Sequence, residues 1–298
     1  MIKAVSSTGH ISITVVIPVY QQWHLMEGIF NCLRSQDMSE DDWEVLIVDN
    51  GSDQVPEQGT LPSFARVLHC QDPGSYAARN TAICEARGKL LVFTDADCRP
   101  DRGWLAAHWL AYQRNGDNQL NAGGIVVKKL TAHDAPNPYE MFDILLGIPQ
   151  KRYAQKRGFG VTANLAVPAA LFRKIGTFDA RRFSGGDAEF CWRAQEQGAR
   201  LGYVGDAQVV HPPRATWDEL ASKARRVKGA QVMYGSLRWR LINIVRTFLP
   251  PQRALRVILG SEYHCQQKWH LTAIAFKLRG VEAKEMLRLL LGKSPERV

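Results

Sequence analysis

Gly88-Lys89-Leu90-Leu91-Val92-Phe93-Thr94-Asp95-Ala96-Asp97 joins a short apolar run to a pair of aspartates two residues apart. The run has the length and branching of a buried strand. Side chains at i and i+2 of an extended segment point to the same side, so Asp95 and Asp97 can converge on one centre. Two such carboxylates suit a hard divalent cation, Mg²⁺ or Mn²⁺, that keeps its other positions for water and phosphate oxygens. In an open α/β sheet ligands bind beyond the carboxyl ends of the strands, where this pair falls. Asp-x-Asp is common by chance in a chain of this size, and its place at the end of a buried strand is what gives it weight.

Working outward, Ile11 to Val19 reads as a first central strand, with Pro18 at its closing end. Leu25 to Ser35 carries helical spacing, and Trp43 to Asp49 is a second strand closed by Asn50-Gly51-Ser52-Asp53. Asn-Gly is also a strong hairpin signal, but the next strand candidate, Ala65 to Cys70, comes too late for a two-residue hairpin. Gly74 opens a helix running to about Ala86, with Gly88 read as its stop. Repeated strand–helix–strand units predict a doubly wound, mainly parallel α/β sheet whose strand ends gather Pro18, Asp49 and Asp95 along one rim. Neither a P-loop nor a dinucleotide fingerprint is present.

The second half is predicted to begin at Ala122 to Val127, after a helix over Trp104 to Gln113. Residues 131–158 read as a mobile loop or lid with some helix near Tyr139 to Leu146. Thr162 to Val167 reads as a strand. Ser184-Gly185-Gly186-Asp187 leads into a helix from Ala188 to Gln197, and Ala199 to Val204 and Ala207 to Val210 read as two short strands ending at His211. The halves are drawn as 1–120 and 121–216, followed by a helical extension over 217–298.

That extension holds most of the excess charge. Trp217 to Val298 contains 16 Lys and Arg against 6 Asp and Glu, whereas the remainder has 22 against 23. Nucleic acid and an anionic membrane surface are both partners for such a tail. No zinc spacing or RNA-recognition signature accompanies it, so nucleic acid is not expected as a partner. Leu237, Leu241, Ile242, Ile244, Val245, Phe248 and Leu249 fall on one side of a helical wheel, and Val281 to Leu291 is again Leu-rich. Such helices either pack on the catalytic body or lie as an anchor in the membrane interface. Six scattered cysteines without a C-x-x-C pair fit free thiols in a reducing compartment. With no apolar segment in Met1 to His10 to act as a secretory signal, the expected location is cytoplasmic, with peripheral attachment to the cytoplasmic face of a membrane.

Taken in order, Val16-Ile17-Pro18-Val19-Tyr20, Val48-Asp49-Asn50-Gly51-Ser52, Gly74-x-x-x-Ala78-Arg79-Asn80, Asp95-Ala96-Asp97 and Gly185-Gly186-Asp187-Ala188-Glu189-Phe190-x-x-Arg193 resemble the family-2 glycosyltransferases of the glycosyltransferase A fold, over about residues 11–216. The resemblance implies inverting transfer of a sugar from a nucleotide-sugar, a UDP-sugar above all, to a hydroxyl of a glycan or lipid-linked acceptor, in surface polysaccharide or glycolipid assembly. It implies that Pro18, Tyr20, Asp49, Ser52, Arg79 and Asp95 surround the nucleotide, and that Asp97 contacts the metal most directly with Asp95 in support. His211, at a strand end, is a candidate third ligand, and a carboxylate–imidazole set would favour Mn²⁺ over Mg²⁺. Inversion by single displacement needs a general base. Asp187 and Glu189 diverge by roughly 200° on a helix, so one alone faces the reacting carbon. The motif selects Asp187, which is also placed to be a helix N-cap, and Glu189 has a ready ion-pair partner in Arg193.

The chain departs from the family pattern at residues 54–64, where Pro56, Gly59 and Pro62 replace a regular helix, and it carries no residue that identifies the acceptor. A sugar-phosphate nucleotidyltransferase is the rival enzyme, but it would need a Gly-rich basic loop where Tyr20-Gln21-Gln22-Trp23 stands.

Overall fold

The computed structural model describes residues 11–131, 134–234 and 237–294. Met1 to His10, and His133 of the expected loop, lie outside the described residues. The chain divides into two compact units. The first comprises the described residues up to Ile125, with Gln150–Ala180 and Asp187–Val209; the second comprises Val126–Pro149, Arg181–Gly186 and the described residues from Val210 onward.

The first unit is built on β1 (Ile13–Val19), α1 (Met26–Arg34), β2 (Trp43–Asp49), β3 (Ala65–His69), α2 (Ser75–Glu85) and β4 (Leu90–Thr94). After these come β5 (Arg99–Pro100), α3 (Trp104–Asn115) and β6 (Gln119–Val127). The eight-stranded sheet has the order β3-β2-β1-β4, then β7 (Asn164–Pro168), β6, β8 (Arg200–His211) and β5. β3, β2, β1 and β4 are all parallel, as the repeating units predicted. Beyond β4 the sheet turns mixed, because β7 runs antiparallel to both β4 and β6.

Central parallel strands lose water on both faces, which is why β2 is buried along its whole length. Each face carries its own apolar cluster. Ile13, Val15 and Ile17 join Ile29 and Leu33 of α1 on one side, and Val16, Leu46 and Val48 join Ala78 and Ala82 of α2 on the other. Pairing of β1 with β4 stops at Val16↔Phe93, whereas pairing with β2 continues to Val19↔Asp49. Pro18 therefore sits where only one neighbour remains, and its missing N–H is tolerated.

Several expectations are corrected. The α2 helix ends at Glu85 with an extended Ala86, so Gly88 is not its stop. A Cβ on Gly88 would stand 2.4 Å from the Thr14 amide nitrogen, so the residue is glycine because the entry to β4 crosses the β1 backbone. The helix expected near Tyr139 to Leu146 is α4 (Pro138–Leu146), which Asn137 starts with a capping box closed by Glu140, but the segment after it is not loop: it holds α5 (Gln150–Arg157). The two short strands expected after residue 199 are one continuous strand, β8. Between β7 and β8 in sequence lie α6 (Ala169–Ile175) and α7 (Gly186–Glu196).

The second unit carries α8 (Trp217–Met233), α9 (Leu237–Phe248), α10 (Gln252–Leu259) and the long α11 (Cys265–Leu290). Its core joins Met141 and Phe142 of α4 to Leu220, Ile258, Leu271 and Ile274. Asp143 is buried beneath Arg214 at 3.0 Å and Lys223 at 3.2 Å. Burial pushes the Asp143 carboxyl up, but the two cations outweigh it and hold the group below the usual carboxylate range. Burial drives Lys223 down to about 8. Of the two arrangements open for α9, its polar residues Asn243 and Thr247 are buried and most of the apolar arc faces outward. Thr247 Oγ1 accepts from Lys228 Nζ of α8 at 3.0 Å, with Glu282 of α11 3.9 Å from the same ammonium. That hydrogen-bonded cation turns the polar side of α9 inward.

Asn164, fully buried at the start of β7, joins elements far apart in sequence. Its Oδ1 accepts from Trp104 Nε1 and His108 Nε2 of α3, both at 2.9 Å, and its Nδ2 donates to the Gly124 and Ala207 carbonyls at 2.8 Å. Gly123 must be glycine beside it, since a Cβ there would stand 2.3 Å from Nδ2. A carbonyl oxygen only accepts, so His108 carries its proton on Nε2. Burial pushes the His108 imidazole down to about 4, against the hydrogen bond to Asn164. Below pH about 6.5 the unfolded chain takes up a proton that the folded chain refuses, so stability falls with acid between about 6.5 and 4. On going from pH 7 to pH 4, wild type should lose up to about 3 kcal/mol more than a His108→Gln variant, measured by urea denaturation. Parallel pH curves for the two proteins would contradict the assignment.

Candidate active site

The ends of β1, β2 and β4 in the first unit carry the candidate residues. β2 closes on Asp49, 3 % exposed. Asp49 Oδ2 accepts from the Gly51 and Ser52 amides at 3.1 Å, and Oδ1 accepts from Trp23 Nε1 at 2.9 Å. Burial raises the Asp49 carboxyl, yet the hydrogen bonds from Ser52, Trp23 and Gly51 together hold it below the ordinary range. The carboxylate is thus ionised, closing an Asx-type turn, with one further acceptor direction left on Oδ1. Ser52 Oγ accepts from the Gln21 amide at 2.9 Å, which ties the loop of Tyr20 to the loop of Asp49. Gln21 sits in the left-handed region at φ 56°, and Tyr20 beside it is 53 % exposed. An exposed ring at the rim of a strand-end cleft offers a face for stacking.

Asn50, read from sequence as part of a turn and of the Val48–Ser52 motif, is a clamp. Its amide donates to the Cys70 and Asp72 carbonyls at 3.0 and 2.7 Å and accepts from the Gly74 amide at 2.7 Å. The residues leading into α2 are fixed by these bonds, and α2 places Tyr76 and Arg79.

Arg79 is 3 % exposed and donates through Nη2 to Asp95 Oδ1 at 2.6 Å. Its guanidinium lies 5.5 Å from the centre of the Tyr76 ring. The Arg79 guanidinium, expected beside the nucleotide, is thus partly engaged by Asp95. Asp95 is 35 % exposed at its side chain, so the carboxylate presents an edge to solvent while Arg79 holds the other.

The turn bearing the two acids is pinned at several points. The Cys98 amide donates to the Asp95 carbonyl at 3.0 Å, and Arg99 donates to the Ala96 and Cys98 carbonyls at 3.2 and 2.8 Å. Arg99 also reaches the Leu25 carbonyl at 3.3 Å, next to α1. Ala96 and Cys98 are fully buried while Asp95 and Asp97 are half-buried, the alternation expected of i and i+2 on one side.

Asp187 follows the first residue of α7 and is 9 % exposed. Its Oδ2 accepts from the Thr162 amide at 3.3 Å and its Oδ1 from the Ala188 amide at 2.8 Å. Tyr76 supplies a further hydrogen bond from its phenol. Burial raises the Asp187 carboxyl above its ordinary value, while the Ala188 amide, the Arg79 charge, the Thr162 amide and the Tyr76 phenol pull it back. Burial and the neighbouring Asp187 charge drive the Tyr76 phenol far upward, so it stays protonated as a donor. Glu189 points elsewhere: Arg193 grips it at 2.7 and 3.2 Å while also donating to the Ile175 and Thr177 carbonyls. Glu189 therefore ties α7 to the segment after α6.

Arg79, Asp95, Tyr76 and Asp187 are thus brought together, as are Asp49, Ser52 and the loop of Tyr20. Among the described residues no three His, Cys, Asp or Glu side chains gather closely enough to hold an ion. His211 belongs to the second unit, and Asp95 and Asp97 to the first. His211 closes β8 with Nδ1 2.7 Å from the Pro212 carbonyl, a local contact that orients its ring. The acid pair still fits a cation of the Mg²⁺ or Mn²⁺ kind, which needs one or two carboxylates and takes its other oxygens from water and phosphate. Trp23, Tyr76, Thr162 and Asn50 were missed from sequence; only Asn50 carried a signal, as the residue after a strand-end acid.

Because burial raises the Asp187 pKa, the charged form costs folding stability at pH above that pKa, and the cost vanishes as pH falls and the group protonates. Asp187→Asn should melt no lower than wild type at pH 8, and any advantage should shrink by pH 4. A large loss of thermal stability in the variant at pH 8 would contradict this reading of the site.

Comparison with known proteins follows the same lines. The model of glycosyl transferase family 2 matches residues 14–176. The chain is 30 % identical over 256 residues to glycosyltransferase AglE of Haloferax volcanii, covering 83 % of this chain and 80 % of that protein. It is 29 % identical over 231 residues to the pre-mycofactocin glycosyltransferase of Mycobacterium tuberculosis, covering 74 % of this chain but only 47 % of that protein's length. Among solved structures, the mannosyltransferase PcManGT of Pyrobaculum calidifontis, in complex with GDP-Man and Mn²⁺, superposes with a TM-score of 0.59 at 18 % identity, over 96 % of this chain and 89 % of that one. Residues 1–349 of S. aureus TarS in complex with UDP superpose with a TM-score of 0.51 at 16 % identity, over 95 % and 92 %. These likenesses in structure show the glycosyltransferase A fold, and the family match shows the rest: the chain is a glycosyltransferase belonging to glycosyl transferase family 2.

Proposed function

We propose that the chain transfers a sugar from a nucleoside diphosphate sugar to an acceptor hydroxyl with inversion at the anomeric carbon, using Asp187 as general base. The observation that carries this reading is the position of Asp187: buried, raised in pKa by that burial, and linked through Tyr76 and Arg79 to Asp95 at the rim of the sheet. In a single displacement the acceptor oxygen forms its bond to the anomeric carbon as the bond to the diphosphate oxygen breaks. The acceptor proton passes to the Asp187 carboxylate, and the nucleoside diphosphate leaves with the bonding electrons. A base works best with a pKa near the working pH, and burial moves Asp187 in that direction. The Thr162 and Ala188 amides hold the carboxylate in one orientation while it waits.

Asp97 and Asp95 are the residues we assign to a divalent cation. Such an ion, when bound, neutralises charge developing on the departing diphosphate. Arg79 holds Asp95 in place, and Arg99 fixes the turn that spaces the two acids. The Pyrobaculum enzyme solved with GDP-Man and Mn²⁺ and TarS solved with UDP support a nucleoside diphosphate donor and a divalent ion, and they widen the donor beyond UDP-sugars. Tyr20, Pro18, Asp49 and Ser52 form the loops we assign to the nucleotide. A glycan or lipid-linked hydroxyl remains the proposed acceptor, in surface polysaccharide or glycolipid assembly on the cytoplasmic side.

Exhaustive chelation, or Asp97→Ala, should abolish donor consumption while circular dichroism stays unchanged; full turnover after chelation would remove the metal from the mechanism. Asp187→Asn should lower kcat at least about 100-fold with donor binding nearly unchanged. Tyr76→Phe removes a hydrogen bond that lowers the Asp187 pKa, so the acid limb of the kcat profile should move to higher pH. An unmoved limb, or an active Asp187→Asn beside a dead Glu189→Gln, would transfer the base to another residue. Inversion is checked on the product, whose anomeric configuration by ¹H NMR should be opposite to the donor's.

A further inference from the structure

An amphipathic helix that packs on a protein core turns its apolar face inward. In the second unit α9 does the reverse. Leu237, Leu241, Val245 and Phe248 are 70, 53, 62 and 63 % exposed, while Asn243 and Thr247 are 7 and 1 % exposed. The buried side is held by Lys228, whose ammonium meets Thr247 Oγ1 and Gln231 Oε1, and by Ile244 against Val232, Met286 and Leu289. The orientation of α9 is therefore fixed by its own contacts, and its outward apolar face is a built feature.

The charges that α9 and α10 themselves carry are of one sign. Residues 237–261 contain five arginines, 238, 240, 246, 253 and 256, and no Asp or Glu. Arg238, Arg246, Arg253 and Arg256 are exposed. α10 follows after Pro250-Pro251 and adds Leu259, 66 % exposed. We propose that α9 and α10 form a docking face for an anionic lipid surface, with the aliphatic side chains at the boundary of headgroups and acyl chains and the arginines on lipid phosphates. Among the described residues no helix is long and apolar enough to cross a membrane, so the contact lies in the plane of the interface.

A second copy of the chain is a poor occupant. A two-fold contact sets the same patch against itself, and here that would bring arginines to arginines with no carboxylate between them. Single-stranded nucleic acid stacks on aromatic rings, whereas this face is mainly Leu, Val and Ile. An anionic bilayer answers both features at once. The inference does not rest on the catalytic reading, because vesicle binding requires no donor and no turnover.

The test is sedimentation of the full chain with vesicles of phosphatidylcholine alone or mixed with phosphatidylglycerol, at about 0.1 M and about 0.5 M NaCl. The chain should pellet with the mixed vesicles at low salt, and less so at high salt or without the anionic lipid. V245D/F248D should weaken partitioning at least about tenfold. Both sites are exposed, so its melting temperature should match wild type. R238Q and R246Q should each cost about fivefold. The proposal is overturned if the chain stays in the supernatant with mixed vesicles at low salt, or if V245D/F248D pellets as well as wild type. It is equally overturned if sedimentation velocity without lipid shows a dimer that V245D/F248D dissolves, or if the face binds a single-stranded RNA oligomer and no vesicle.

Discussion

Three consecutive residues, Thr162-Ala163-Asn164, hold the first unit together. The Thr162 amide donates to Asp187. The Ala163 carbonyl accepts from Thr94 Oγ1 at 3.1 Å and lies 3.8 Å from Cys98 Sγ, the residues that flank the acid pair on either side. The Asn164 amide, with all four of its hydrogen bonds made, fastens the same backbone to α3, β6 and β8. A buried amide satisfied so fully is expensive to disturb, since losing one partner leaves another desolvated and unpaired. The acid pair and the candidate base are thereby referred to one rigid point.

A second path joins them through α2. Asp95 is fixed by Arg79, Arg79 lies on the Tyr76 ring, and the Tyr76 phenol meets Asp187. The positive charge of Arg79 stands between two carboxylates in different environments. Asp95 is 35 % exposed at its side chain and keeps an edge to solvent, whereas Asp187 is 9 % exposed and burial raises its carboxyl above the ordinary value. In the proposed mechanism the more exposed acid, at a strand end, takes the cation and the more buried one, at a helix start, takes the proton.

The parallel half of the fold was legible because central strands are continuous apolar runs and their acids stand at the ends. Pro18, Asp49 and Asp95 fall at the ends of β1, β2 and β4 for that reason. The antiparallel β7 left no such trace: its sequence differs little from a parallel strand, and only its partners reveal its direction. Asn164, Tyr76 and Trp23 were silent because their meaning lies in partners remote in sequence, such as Trp104 for Asn164 and Asp49 for Trp23. α9 was legible in part. Its apolar periodicity says only that two faces differ, and the buried Lys228, bonded to Thr247, holds the polar one inward.

The central claim is that this rim of acids and loops activates a nucleoside diphosphate sugar. Its most direct measurement is release of free nucleoside diphosphate when the protein is incubated with UDP-, GDP- and dTDP-sugars and Mn²⁺, with water or an added glycan as acceptor. The account predicts release from at least one donor. Folded protein that releases nucleotide from none of the three, with acceptor present, would contradict it.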